Sequence, residues 1–450
     1  MGGILWWSGG LSGFGYGMVM KIQLHYGSGF VSVEIPEANV GEIIRPWEEG
    51  GDTDNAALVR EALECGEAGD FAGLIRGKTL AVLVGDGSRD MPLGDIFGEL
   101  FGRLTVCKKV MFLMCTGTHD ADTPENKVIC DTITAAAQEA QLAGIEIGIH
   151  DCQGDNLVGA GTTAHGTEVR YNGTLDAADV FLVLSDVKFH YFAGYSNPIK
   201  NFVPGLCSYR TAEQNHSLAL DERSTYGAHP WHEDETRRGN PLAADQLEAM
   251  ELIVKGRPVY AMATISTSGR IQWARFGEAE TVSRAAFAAS DRKNTHTVAP
   301  VDRLIVSPGG LPNDVDLYIS QRALELTRQG VADGGEVLFV SACPKGIGHE
   351  RTTANFYDRL TRPIDEIFAS IEAEYKLFSH KPYKFAEMIR RLRRIWVYSE
   401  IGDELIAAAH LHATGDLQAV VDGWIAEDPE TKITVVDGAN KIALYARQSP

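Results

Sequence analysis

The sequence predicts an α/β protein of two domains, each on a parallel-type sheet. Three observations carry this. Apolar runs, consistent with strands buried on both faces, each end in a polar, Gly-rich loop. Helical stretches lie between them, and alternation of strand and helix implies parallel α/β architecture. The pattern then repeats after Pro300, beyond a stretch (286–301) that holds no strong strand and carries Asp291-Arg292-Lys293-Asn294. The first domain is therefore expected over residues 20–290 and the second over 300–450.

The first expected strand is Met20–His25. Residues 1–19 before it are read as an extension, disordered or not a genuine start. They carry no charge, and no Lys or Arg precedes Lys21, whereas a signal peptide needs a basic opening and an unbroken apolar core. The stretch is also too short and too Gly-rich to span a bilayer. Leu80–Val84 runs into Gly85-Asp86-Gly87-Ser88-Arg89-Asp90-Met91-Pro92, and Val110–Met114 into Thr116-Gly117-Thr118-His119. A helix begins near Thr123-Pro124-Glu125, with Thr as cap and Pro at the first helical position. Ile145–Ile149 runs into His150-Asp151, and Val180–Leu184 into Ser185-Asp186. In the second half the runs are Leu304–Val306, Val337–Ser341, Ile395–Tyr398 and Ile433–Val436. Ligands of open α/β sheets sit beyond the carboxyl ends of strands, and most of the unusual residues fall there.

Composition narrows the function. A net charge of −20 argues against nucleic acid, whose phosphates attract basic patches. It leaves room for a small anion in a locally positive pocket. The seven Cys are scattered, with no CxxC pair, as expected of a reduced cytoplasmic protein rather than a disulfide scaffold or thiolate metal cluster. No membrane partner is expected.

Four segments carry chemistry. In the loop after Leu80–Val84, Arg89 can clamp a carboxylate through its planar donors; alone, a turn with a solvated Arg explains it as well. His119 can act as acid or base near neutral pH, although a lone His is more often structural. The stretch Gly161-Thr162-Thr163-Ala164-His165-Gly166-Thr167 suits close approach of a phosphate or ribose. It lacks dinucleotide and Walker spacings, and a β-hairpin is the plain alternative. The fourth runs from His190-Tyr191-Phe192-Ala193-Gly194 through Lys200 to Gln214-Asn215-His216. That composition suits a ligand-binding loop, or an irregular surface loop.

Taken together and in order, these segments resemble the lactate racemase family, whose members use a nickel-pincer nucleotide. His190, Lys200 and His216 keep the family's intervals, Thr-Gly-Thr-His matches, and Asp86 and Arg89 match its Asp-x-x-Arg. Ser307-Pro308-Gly309-Gly310 with Asp314 to Tyr318 resembles the family's C-terminal signature.

The resemblance implies a role for each residue. His216 would ligate nickel, and Lys200 would contact the cofactor's thiocarbonyl group, covalently in some members. His119 and His190 would be the paired acid/base groups. Arg89 would hold the substrate carboxylate, with Asp86 beside it, and Gly161, Thr162, Thr163 and Gly166 would lie near the nucleotide. The implied cofactor is nickel pyridinium-3,5-bisthiocarboxylic acid mononucleotide, held in the cleft between the two α/β domains and supplied by its synthesis enzymes in the cytoplasm. The implied reaction inverts C2 of a 2-hydroxy acid by hydride removal and return, while a histidine takes and returns the hydroxyl proton.

Two departures bear on substrate. Arg322 stands where lactate-specific members carry Lys, four residues after Tyr318, and Ile319 where a polar residue is common. Both positions lie on the substrate side in the family, so a sugar acid or dicarboxylate is at least as well suited as lactate. The competing expectations are a nickel-independent sugar-acid hydro-lyase or dehydrogenase, and a non-catalytic nucleotide-binding protein.

Overall fold

The computed structural model describes residues 18–48, 54–66, 70–87 and 91–447. The expected extension falls on residues 1–19, of which 1–17 lie outside the described residues. Two six-stranded sheets organise the chain.

The first sheet runs, edge to edge, through Arg270–Glu278, Val259–Thr267, Val180–Asp186, Thr79–Gly85, Lys109–Cys115 and Ile145–Ile149. All neighbours are parallel except the hairpin of Arg270–Glu278 with Val259–Thr267. Leu80, Val82 and Val84 pack into one core and Ala81 and Leu83 into another. Alternate side chains of a strand point to opposite faces, so a strand covered on both sides must be apolar throughout. The chain lays strands to one side of Thr79–Gly85 and then returns to its other side at Val180–Asp186. That reversal opens a crevice at the strands' carboxyl ends.

The second sheet is parallel throughout: His412–Ala413, Arg394–Tyr398, Val331–Val340, Val301–Ser307, Ile433–Asp437 and Val40–Ile44. Val337 and Phe339 face one core, Leu338 and Val340 the other. Here sheet membership differs from the expected 20–290 unit. Val40–Ile44 closes the second sheet beside Ile433–Asp437. The hairpin of Val19–Tyr26 and Gly29–Pro36 buries Ile22, Leu24, Val33 and Ile35 against that sheet's Ile305, Leu338 and Val435. A local apolar pattern marks a strand but not which sheet will pair with it.

The stretch 286–301 also holds more order than expected: helix Ala279–Asn294 runs into the short strand Thr295–Val298, which pairs with Ala443–Ala446. The helix expected near Thr123 spans Pro124–Glu139, and the Thr123 hydroxyl accepts from the Asn126 amide. Among the described residues no helix is long and apolar enough to cross a membrane.

Candidate active site

The crevice of the first sheet is lined by Gly85, Asp86, Cys115, Ser185, Asp186 and Lys188, and by Lys200 of the segment that follows. Asp86 is the first residue past its strand and is 4 % exposed. Its Oδ2 lies 2.6 Å from His119 Nδ1. A carboxylate can only accept, so Nδ1 is the donor and Nε2 is left as the reactive nitrogen. The turn that delivers His119 bends at Gly117, whose φ is +59°, and the His119 amide donates to the Thr116 carbonyl. Arg89 lies outside the described residues.

His190 ends the strand Lys188–His190, which pairs with Gly194–Ser196 in a tight hairpin. Gly194 is required there. Its φ is +76°, and a Cβ would stand 2.0 Å from the Ala228 carbonyl oxygen. The Ala193 amide donates to His190 Nδ1 at 3.3 Å. Lys200 Nζ lies 3.3 Å from His190 Nε2. Lys200 belongs to the single-turn helix Ile199–Phe202, started by the Asn197 side chain, which accepts from the Ile199 amide.

His216 sits in the last turn of helix Tyr209–Ser217, capped by Ser208. Its Nδ1 is buried without a hydrogen-bond partner. Burial, then the nearby Lys200 charge, pushes its pKa down to about 3, so the ring is neutral and a lone pair is available. Phe192 ties the groups together: its ring lies 4.4 Å from that of His190 and 5.2 Å from that of His216. Lys200 Nζ lies 5.4 Å from its centroid.

The second half reaches this cluster through helix Leu317–Thr327, capped by Asp316. Arg322 donates from Nη2 to the Phe189 carbonyl, one residue before His190. Tyr318 stands edge-on to Phe356 and Phe378, with Lys381 Nζ 4.4 Å above its ring and 5.0 Å from that of Tyr191. Burial pushes Lys381 down to about 7.

The glycine- and threonine-rich stretch forms the hairpin Leu157–Thr162 with Glu168–Asn172. Gly161, Thr162 and Gly166 are exposed on it and do not line the crevice. The Thr163 hydroxyl is committed to Asp245 Oδ1, while Oδ2 of that carboxylate accepts from Thr167 at 2.9 Å and Asn215 at 2.8 Å. The segment thus braces the helix of His216 through the residue beside it.

Sequence reasoning passed over Asp186 and Lys188, whose charged groups stand 3.8 Å apart in the crevice. The strand-end rule applied to Val180–Leu184 points straight at them. It also passed over His380 and Lys381, which no local pattern marks. Among the described residues no group of three or more His, Cys, Asp or Glu could hold a metal, so protein donors would have to be completed by a ligand.

Known proteins resemble this chain in sequence and fold. Residues 26–227 match the lactate racemase N-terminal domain. A lactate racemase of Thermoanaerobacterium thermosaccharolyticum is 24 % identical over 341 residues, covering 73 % of this chain and 76 % of that one. A lactate racemase of Lactiplantibacillus plantarum is 22 % identical over 381 residues, covering 82 % and 86 %. The apoprotein structure of lactate racemase from Thermoanaerobacterium thermosaccharolyticum superposes with a TM-score of 0.78 at 20 % identity, over 95 % of this chain and all of that one. A crystal structure of a protein from Thermotoga maritima superposes at 0.65 with 12 % identity, over 89 % of this chain and 100 % of that one. The α/β fold expected from sequence is the fold these structures share.

Proposed function

We propose that this member of the lactate racemase family is an isomerase that inverts C2 of a 2-hydroxy acid with a nickel-pincer nucleotide. The observation that carries the reading is the convergence, about one crevice and one ring, of an oriented histidine, a histidine–lysine pair and a buried neutral imidazole. The residues fit the cofactor. His216 offers an imidazole, a suitable ligand for Ni(II), with a buried nitrogen that finds no partner in the protein. Lys200, beside His190, would contact the cofactor's thiocarbonyl group. When bound, the nickel-pincer nucleotide supplies the hydride acceptor.

The chain's own groups handle the proton and the orientation. Asp86 holds His119 in the tautomer whose Nε2 can take the substrate hydroxyl proton, and stabilises the imidazolium so formed. His190 serves the opposite enantiomer. Arg89 anchors the carboxylate shared by all substrates. Tyr318 and Arg322 close the substrate side. Gly161, Thr162, Thr163 and Gly166 remain candidates for the nucleotide side, Thr163 through its backbone because its hydroxyl is occupied. Arg322 and Ile319 favour acids larger or more anionic than lactate. Loading occurs in the cytoplasm from the cofactor-synthesis enzymes.

The test is protein produced together with those enzymes and assayed on lactate, malate and gluconate-type acids in deuterium oxide. Inversion with little deuterium at C2 supports hydride transfer. Extensive wash-in would indicate proton abstraction at carbon and defeat the proposal. Lactate as best substrate would remove the role given to Arg322.

A further inference from the structure

His190 is aimed by the hairpin that carries it. Within that hairpin His190 stands opposite Gly194 and Phe189 opposite Tyr195, and the rings of Phe189 and Tyr195 lie 5.3 Å apart. Behind the hairpin lies a polar network that the reading above leaves without a role. Its centre is Asp291, near the end of helix Ala279–Asn294. The Tyr195 hydroxyl donates to Asp291 Oδ1 at 2.6 Å. Arg237 donates through Nη1 to Asp291 Oδ2 and through Nη2 to the Tyr195 oxygen at 2.9 Å. His232 Nε2 donates to Oδ2 at 3.0 Å.

Two further contacts tie this network to the hairpin. Phe287 lies one turn before Asp291 on the same helix face, where residues four apart are neighbours, and its ring stacks on that of Tyr195 at 4.1 Å. One helix thus takes both the ring and the hydroxyl of Tyr195. Arg237 reaches the turn itself: its Nε donates to the Gly227 carbonyl at 2.7 Å, and the Gly227 amide donates to the Gly194 carbonyl at 3.0 Å. The two residues held this way are the cross-strand partners of Phe189 and His190.

Tyr195 is fully buried and His232 is 6 % exposed, and neither lines the crevice, so the network does not itself meet substrate. A buried carboxylate is costly unless its oxygens are satisfied. Burial alone would raise the Asp291 pKa, and the hydrogen bonds from His232, Arg237 and Tyr195 hold it below its ordinary value. A buried ion pair adds little stability over apolar packing of the same volume, whereas a satisfied network fixes one geometry.

We propose that Asp291, acting through Tyr195 and Arg237, is a positioning residue for His190, setting the hairpin so that the imidazole meets the substrate's hydroxyl proton. The inference rests on the acid/base role proposed for His190 and adds the residue that aims it.

The test uses Tyr195→Phe and Asp291→Asn, each made as holoenzyme beside the wild type. Two quantities are read: turnover of the 2-hydroxy acid that wild type inverts best, and deuterium uptake at the C2 carbon of each histidine ring by mass spectrometry. A misplacement of about 1 Å can cost about 10²-fold, so kcat should fall about 10- to 100-fold, with KM and bound nickel near wild-type values. His190 should take up deuterium faster, and His119, held by Asp86 on a separate turn, at its wild-type rate. Unchanged kcat in folded, nickel-loaded variants overturns the proposal. So does a fall in kcat with unchanged uptake at His190, or with equal acceleration at both histidines, which is general loosening. Should wild type invert no 2-hydroxy acid, the isomerase reading fails, and uptake at His190 alone decides whether Asp291 positions it. Should Asp291→Asn fail to fold, Tyr195→Phe decides alone, since it leaves Asp291 with Arg237 and His232.

Discussion

His119 and His190 have different partners that line the crevice, a buried carboxylate for one and an amine for the other. The two directions of the reaction should therefore fail differently. Removing either imidazole should slow racemisation by about 10²- to 10⁴-fold, the usual worth of a general acid/base, measured as exchange between enantiomers. Asp86→Asn should mimic loss of His119 while leaving bound nickel unchanged; equal nickel loss would make Asp86 a cofactor residue. A separate histidine reports on stability. His229 is fully buried, and burial pushes its pKa down to about 3. The unfolded chain takes up that proton near pH 6.5 while the native state does not. Stability should therefore be intact above pH 6.5 and fall as pH drops toward 3, by on the order of 4 kcal/mol at about 1.4 kcal/mol per unit. In His229→Phe, denaturant midpoints should fall less steeply over the same range.

At the scale of elements, the sequence is clearest where physics is local. Leu80–Val84 and Val110–Met114 are continuous apolar runs because their strands are covered, and they appear where expected; Ile145–Ile149, interrupted by Glu146, also forms where expected but as a half-exposed edge strand. Thr123 and Pro124 announce their helix by capping chemistry alone. Less legible were strands decided by partners far along the chain. Val259–Thr267 with Arg270–Glu278 could have been found from Ser268-Gly269, both at positive φ, the signature of a tight hairpin turn. Val40–Ile44 carries no such mark. In the candidate site Asp86 and His119 stood out because each follows a strand end, and His190, Lys200 and His216 because they share one unusual stretch. His380 did not, because its nearness to His216 arises only in the folded chain. Two predictions belong here. Asp245→Ala strands the donors of Thr163, Thr167 and Asn215 in a fully buried place, and should cost about 2–5 kcal/mol with loss of metal through His216. Gly194→Ala should cost at least about 2 kcal/mol, adding a backbone collision to left-handed strain. A thermal midpoint unchanged in Gly194→Ala would contradict the hairpin geometry.

At the scale of the molecule, the second sheet is assembled from both ends of the chain. His25 and Asp437, 412 positions apart, are joined through both backbone and side chain. A chain begun at residue 54 should therefore aggregate rather than form a smaller soluble protein, since it bares the edge of Ile433–Asp437 and the core beneath the hairpin. A monodisperse monomer on size exclusion would contradict this.

The same arrangement fixes a timetable during synthesis. The hairpin and Val40–Ile44 leave the ribosome first, but their partner strand comes 412 positions after His25, roughly 20 to 80 s later at about 5–20 residues per second. Meanwhile the first sheet has every strand it needs and can close, whereas Ile22, Leu24, Val33 and Ile35 wait in water. The newborn chain thus carries an unpartnered apolar segment through most of its translation, a natural target for a chaperone that recognises exposed hydrophobic segments.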